Sequence, residues 1–250
     1  MEQSDLIKRA NDLASRCDRS SCVTMTAFLT PAEQQEIESR GSFPGGDCSL
    51  FLFGGAKDCE RRVCFFLPYY LDRESFDASE YMGAVRIQSY FGAPEHRDYL
   101  GAVLALGIER DRVGDIIVRG DTAYVFCLRT VLPVLLNELD KVGSCGVKPE
   151  EIPLAEVPAP EKKVNLLNFT VKSLRLDAVT GDLFGISRTQ AAELIRLGAV
   201  SLNYVVCEKP DAPVAEGAVI SIRGKGKGKV TEVGGRSRKD RLFIKAERYL

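Results

Sequence analysis

The sequence predicts an α+β, multi-domain protein, and three observations lead there. Apolar residues recur at helical spacing in some segments and alternate at period two in others. A proline-rich stretch begins after residue 146, and the balance of charge changes sign across it. These features divide the 250 residues into a small N-terminal α/β segment (1–75), a central split β-α-β-β-α domain (76–146), an extended connector (147–170) and a C-terminal domain (171–250) with two helices and a small sheet.

Leu6-Ile7, Ala10, Leu13-Ala14 and Cys17 share one face of an amphipathic first helix. Thr30-Pro31-Ala32-Glu33 is a capping box with proline at the first helical position; it opens a second helix that ends near Arg40, at Gly41. Ser49 to Phe53 and Arg62 to Leu67 read as strands joined by a turn at Gly54-Gly55, a doublet without the Lys-Ser/Thr of a phosphate loop. A strand at 84–90, a helix at 95–106, a hairpin of 116–118 with 123–127 across Arg119-Gly120-Asp121, and a helix at 130–139 follow. That order describes an RRM-like split sheet backed by two helices. Such sheets take RNA on exposed aromatic and basic side chains. Arg86, Gln88 and Tyr90 alternate on one strand face, and His96, Arg97, Arg110 and Arg112 surround the helix. These seven form a candidate second RNA surface; the alternative is a solvated sheet face.

Four prolines between residues 149 and 160 remove backbone donors and favour extended conformations, which makes this stretch a connector. With 34 Lys/Arg and 35 Asp/Glu, the net charge of −1 suggests indifference to nucleic acid. The last 80 residues, however, hold 15 Lys/Arg against 9 Asp/Glu, leaving 19 against 26 for the first 170. A basic module is attached to an acidic body. A hydrophobic fraction of 45% excludes wholesale disorder. Apolar runs such as Val131 to Leu136 fall far short of the ~20 residues of a membrane span. Met1 to Asp5 lacks the layout of a signal peptide, so a cytoplasmic protein without a membrane partner is expected. Eight cysteines, none two residues from another, accompany a single histidine; they read as buried reduced thiols, with no metal or cofactor expected.

After the connector, Leu174 to Val179 opens a helix with Ser173 as its expected cap. Ser187 caps a second helix that buries Ala191, Leu194 and Ile195 and stops at Gly198. Val200 to Asn203 is a short strand, Asn203-Tyr204 a turn, Val205-Val206 the return, Lys209-Pro210 a break and Val219 to Arg223 a further strand. The order Arg175-Leu176-Asp177, Ser187-Arg188-x-x-Ala191, Ile195-x-x-Gly198-x-Val200-x-Leu202-Asn203 and Lys209-Pro210 resembles the S4 RNA-binding domain. In this reading the helix start at Ser187, Arg188 and Thr189 offers N–H groups and a guanidinium to phosphate. Arg175, Gln190, Arg196 and Lys209 extend the rim, and Asp177 pairs locally with basic side chains. Beyond it, Arg223, Lys225, Lys227 and Lys229 alternate with glycine, which places four cations on one face of an extended segment. Arg236, Arg238, Lys239 and Arg241 follow in a basic turn spanning 232–241, and Leu242 to Lys245 finishes as a strand.

Arg175-Leu176-Asp177-Ala178-Val179-Thr180 has a superficial likeness to the catalytic motif of pseudouridine synthases, but only 73 residues follow Asp177 and the S4-like pattern consumes them. Synthetase and methyltransferase nucleotide motifs are not apparent upstream. The whole layout resembles the YlmH-type S4-domain proteins of bacteria and photosynthetic lineages. In the centre this rests on His96 to Ala102, Leu106-Gly107-Ile108-x-Arg110, Val113 to Ile116 and Lys141-Val142-Gly143. The resemblance implies a non-catalytic protein, monomeric off the ribosome, that binds ribosomal RNA and tRNA on the large ribosomal subunit. It also implies a part in rescuing stalled nascent chains, a tie to cell division, and a plastid stroma location in a photosynthetic eukaryote. Two alternatives stand beside it: an RNA-modifying enzyme centred on Arg86, His96 and Asp98, and a cell-division scaffold. The cysteine-rich N-terminal half and the loop from Ser42 to Asp47 depart from the family pattern.

Overall fold

The run Val63-Cys64-Phe65-Phe66-Leu67 is apolar at every position, so a strand built from it needs cover on both faces. The computed structural model, which describes residues 4–44, 48–159, 164–237 and 239–249, supplies that cover. The chain forms two compact units, Met1–Pro160 and Glu161–Leu250.

The first unit begins with α1 (Asp5–Ser20), β1 (Thr24–Leu29), α2 (Pro31–Arg40), β2 (Ser49–Phe53) and β3 (Arg62–Leu67). The strands form an antiparallel sheet in the order β1-β3-β2. Cys64 and Phe66 of β3 face Ile7, Ala10, Ala14 and Cys17 of α1 and Ile37 of α2. Val63, Phe65 and Leu67 point the other way, into a core shared with the next sheet. That sheet is built from β4 (Met82–Ser89), β5 (Val113–Arg119), β6 (Thr122–Leu128), β7 (Lys141–Val142) and β8 (Cys145–Ile152), in the order β5-β6-β4-β8-β7. Between these strands lie α3 (His96–Ala105) and α4 (Leu132–Glu138), whose Tyr99, Val103, Leu132 and Leu135 pack on Val85, Ile87 and Val125. The layers therefore run helices, three-stranded sheet, five-stranded sheet, helices.

Two expectations change here. The boundary at residue 75 does not separate two compact units, because Phe65 and Val63 share one core with Met82, Ala84, Phe126 and Leu128. Asp115 of β5 adds a polar tie, accepting the N–H groups of Glu60 (2.5 Å) and Arg61 (3.0 Å). The first quarter of the connector is strand β8, paired with β4 over six positions from Ala84↔Ile152 to Ser89↔Val147. Pro149 is tolerated there because β7 pairs only with Cys145 and Gly146, leaving the outer edge of β8 free of ladder partners at the proline. The Gly54-Gly55 doublet is a close approach of backbone to ring: a Cβ on Gly55 would lie 2.2 Å from Phe126.

The second unit contains β9 (Val164–Val171), α5 (Leu176–Phe184), α6 (Arg188–Arg196), β10 (Val200–Leu202), β11 (Val205–Val206), β12 (Val219–Ile222), β13 (Gly226–Arg236) and β14 (Leu242–Tyr249). Its strands form one sheet in the order β11-β10-β12-β13-β14-β9. Ile220, Ile222, Val230 and Ile244 meet Leu176, Val179, Leu183 and Ile195 of the two helices. The later part of the connector is thus the edge strand β9. Ser173 does not cap α5; Arg175 takes that position, and the carbonyls of Ala212 and Pro210 accept the N–H groups of Leu176 and Asp177 at 2.9 and 2.8 Å. The expected turn from 232 to 241 is strand as far as Arg236, where irregular register between Val230 and Arg236 absorbs Gly234-Gly235, and the turn itself closes between Ser237 and Arg241, whose carbonyl accepts the Ser237 N–H at 2.7 Å.

Candidate nucleic-acid interface

Asp177 organises the basic end of the second unit. Its side chain is 6% exposed and accepts hydrogen bonds from Arg175 Nη2 at 3.0 Å and Arg188 Nη2 at 3.1 Å. Burial pushes its carboxyl upward, but the hydrogen bonds and charges of Arg175 and Arg188 outweigh this and hold it below the usual carboxylate range. The two arginine side chains remain 40% and 57% exposed, so each is anchored to Asp177 while it still faces solvent. Arg188 opens α6, where Ser187 Oγ accepts the Gln190 N–H at 3.2 Å and Gln190 Oε1 accepts the Ser187 N–H at 3.1 Å. The expected capping site is therefore present, and it engages the Ser187 hydroxyl and one end of the Gln190 amide. Thr189 is exposed beside them.

Next to Arg188 lies a half-open cleft of about 230 Å³ lined by Lys172, Ser173, Gly181, Asp182 and Arg241, among others. Arg241 reaches it from β13–β14, fixed by Nε to the Thr170 hydroxyl at 2.9 Å and by Nη2 to the Thr170 carbonyl. Three cations against one carboxylate suit a phosphate. Lys172 and Ser173 were not among the expected contacts; their only signal is their place directly before Leu174-Arg175.

The remaining predicted cations divide. Arg196 ends α6, and the Arg223 N–H donates to the Ala199 carbonyl at 3.0 Å, so Arg196, Arg223 and Lys225 gather at the other end of that helix. The expected single face of four cations is broken at this point. Arg223, Gly224 and Lys225 form a turn, whereas Lys227 and Lys229 lie on β13 opposite Ser221 and Val219. Lys227 sits 5.1 Å from the Tyr249 ring centroid. Lys209 and Lys239 are exposed in loops, Arg236 pairs with Asp240 at 2.6 Å, and Arg238 lies outside the described residues.

The second surface is only partly assembled. Arg86, Gln88 and Tyr90 do share a face of the five-stranded sheet, but Arg86 is bound to Glu150 at 2.7 Å. Arg97 leans on Glu95, Arg112 on Glu109, and Arg110 donates inward to the Gly114 carbonyl at 3.2 Å. His96 is exposed at the start of α3, where the Asp98 carboxylate accepts the Glu95 N–H at 2.8 Å. Among the described residues no group of three or more potential metal ligands occurs. Four of the eight thiols are buried, three are half-buried and Cys22 is exposed, which corrects the expectation that all lie inside. No helix of the described residues is long and apolar enough to cross a membrane.

Helices opening on a basic cleft beside a small sheet define an S4-type domain, joined here to a separate α/β unit. Residues 174–220 match the family described as "S4 domain", and residues 75–156 match "Putative RNA-binding domain in YlmH". The chain is 31% identical over 224 residues to the Bacillus subtilis (strain 168) "Ribosome-associated protein quality control protein P2", covering 90% of this chain and 86% of that one. The chain belongs to the YlmH family. In fold it is similar to "Cell division protein ylmH from Streptococcus pneumoniae", with a TM-score of 0.50 and 19% identity over 64% of this chain and 98% of that chain.

Proposed function

We propose that the protein binds structured RNA without catalysing a reaction, contacting ribosomal RNA and tRNA on the large ribosomal subunit in the quality control of translation. The observation that carries this reading is the Asp177-anchored pair Arg175 and Arg188 beside a cleft that Lys172 and Arg241 complete. Fixed guanidinium groups recognise phosphates with little ordering cost. The name of the Bacillus relative supports the ribosomal setting, and the match of the central region to a family described by RNA binding supports the ligand class. A non-catalytic role is favoured because two of the three polar groups of the enzyme alternative are engaged elsewhere: Asp98 in helix capping and Arg86 with Glu150. The protein acts as a monomer away from the ribosome, in the cytoplasm, or in the stroma if the source is a photosynthetic eukaryote.

Sedimentation with isolated large ribosomal subunits tests this. The protein should travel with the subunits at low salt, and the Arg175→Ala/Arg188→Ala variant should remain in the supernatant. Equal recovery of both proteins would contradict the assignment.

A further inference from the structure

The N-terminal sheet covers only part of one face of the five-stranded sheet. Met82, Ala84, Phe126, Leu128 and Ile152 on that face are buried in the shared core. Farther along β4 the same face opens: Tyr90 and Lys148 are exposed, and Gln88, opposite Lys148, is half-buried. One step beyond the last paired position, the Tyr90 N–H donates to the Gly146 carbonyl at 3.0 Å, and Gly146 pairs with Lys141 of β7. Tyr90, Gly146 and Lys141 therefore form a row across three strands, and residues in such a row share a face.

The glycine decides what the row can do. A Cβ at Gly146 would lie 3.2 Å from Tyr90 Cδ2, so the ring rests against bare backbone on one side. The residue is nevertheless 59% exposed. The bend after it is fixed by the Ser89 hydroxyl, which donates to the Phe91 carbonyl at 2.7 Å. A ring backed on one side, open on the other and held by its neighbours is a stacking surface for a flat partner. Lys141 and Lys148 are both exposed, and neither lies within ion-pair distance of a carboxylate among the described residues; Glu150 is bound by Arg86 and feels the charge of Lys148 more weakly. An aromatic ring flanked by two lysines matches a nucleotide whose base is unpaired, since a base inside a duplex has no free face.

We propose that this row is a stacking site for a single-stranded RNA nucleotide, with the base on Tyr90 and the adjoining phosphates at Lys141 and Lys148. The proposal rests on the RNA-binding reading above but concerns a different unit of the chain. The sequence contains no tryptophan, so Tyr90→Trp introduces a sole indole reporter. In the full chain carrying that change, a short oligouridylate should quench the indole emission and a blunt RNA duplex should not. Tyr90→Ala should weaken oligouridylate binding about tenfold, Tyr90→Phe should leave it within about twofold, and Gly146→Val should resemble the alanine variant. Unchanged emission at an oligouridylate concentration that saturates binding would overturn the site, and would leave this face to a protein partner. Repeating the titration with Arg175→Ala/Arg188→Ala separates the two readings. Quenching that persists while structured-RNA binding is lost supports both. Quenching that is absent while structured-RNA binding depends on those arginines overturns the stacking site alone.

Discussion

The carboxylate of Asp177 lies 3.1 Å from the guanidinium of Arg188, eleven residues away and on the following helix. The contact joins the start of α5 to the start of α6 and fixes where the second positive charge stands relative to Arg175. It also explains why an acidic residue belongs in a basic surface: it holds two guanidinium groups in place, and their partial exposure leaves them able to meet a ligand.

Asp177→Ala should therefore weaken RNA binding although it removes a negative charge. Loss of three charge-assisted hydrogen bonds, two from Arg175 and one from Arg188, should also lower the stability of the second unit by about 1–2 kcal/mol, at the lower end because both arginines are partly solvated. Thermal unfolding and RNA affinity measured on the same preparation check this. Tighter RNA binding by the variant would show that the aspartate acts only as a repulsive charge.

The same contact fixes a pH response. The folded Asp177 carboxyl titrates below its ordinary value of about 3.9, so its contribution is fully present above that value and is lost as pH falls through the lower folded one. Stability of the second unit should be insensitive to this group between about pH 5 and 8 and should fall below about pH 4. Asp115 in the first unit has the opposite sign, because burial raises its carboxyl despite the two N–H donors. Acid unfolding of Asp177→Asn should show a shallower loss than the parent, and identical acid limbs would contradict the linkage.

Thiol chemistry separates the cysteines. Burial pushes Cys17 and Cys59 up to about 11 and Cys64 and Cys127 up to about 12, which leaves almost no thiolate at neutral pH. A colorimetric disulfide reagent should react first at exposed Cys22 and should reach these four only after denaturation. Rapid labelling of Cys64 in the native protein would contradict the packing of α1 on β3.

Packing predicts a further effect at Gly55. Its φ of +103° disfavours other residues, and an added methyl would meet the Phe126 ring. Gly55→Ala should cost the first unit about 1–3 kcal/mol, read as a lower melting temperature, with RNA binding by the second unit retained. An unchanged melting temperature would mean that the loop and ring can move apart freely.

What was legible in the sequence follows the range of the interactions. The capping box at Thr30 and the N-cap at Ser187 are local, and both form where the sequence places them. Asn203 and Tyr204 make the expected turn, with φ of 49° and 65°. The role of Asp177 was readable because its two partners lie within eleven residues. β1 was missed because an irregularity between Met25 and Phe28 breaks its alternation, with Thr26 Oγ1 accepting the Cys64 N–H there. β8 was hidden by Pro149, which reads as a breaker unless the open edge beside it is known. Arg241 is legible as a cation of the basic turn, but its place at the cleft is set by Thr170, which lies 71 positions earlier in the chain, beyond the reach of any local pattern. The second surface lost most of its cations to neighbouring carboxylates and carbonyls that only the folded chain brings within reach.

The Asp177-anchored arginines are proposed to form the phosphate-binding surface. Filter binding of a structured RNA over a range of salt concentrations, comparing the parent with Arg175→Ala, Arg188→Ala and Arg62→Ala, tests it most directly. Each of the first two changes should weaken binding and reduce the salt slope by about one, while Arg62→Ala, whose Nε donates to the Cys59 carbonyl, should change neither. Equal affinities and slopes for all four proteins would place the RNA surface elsewhere.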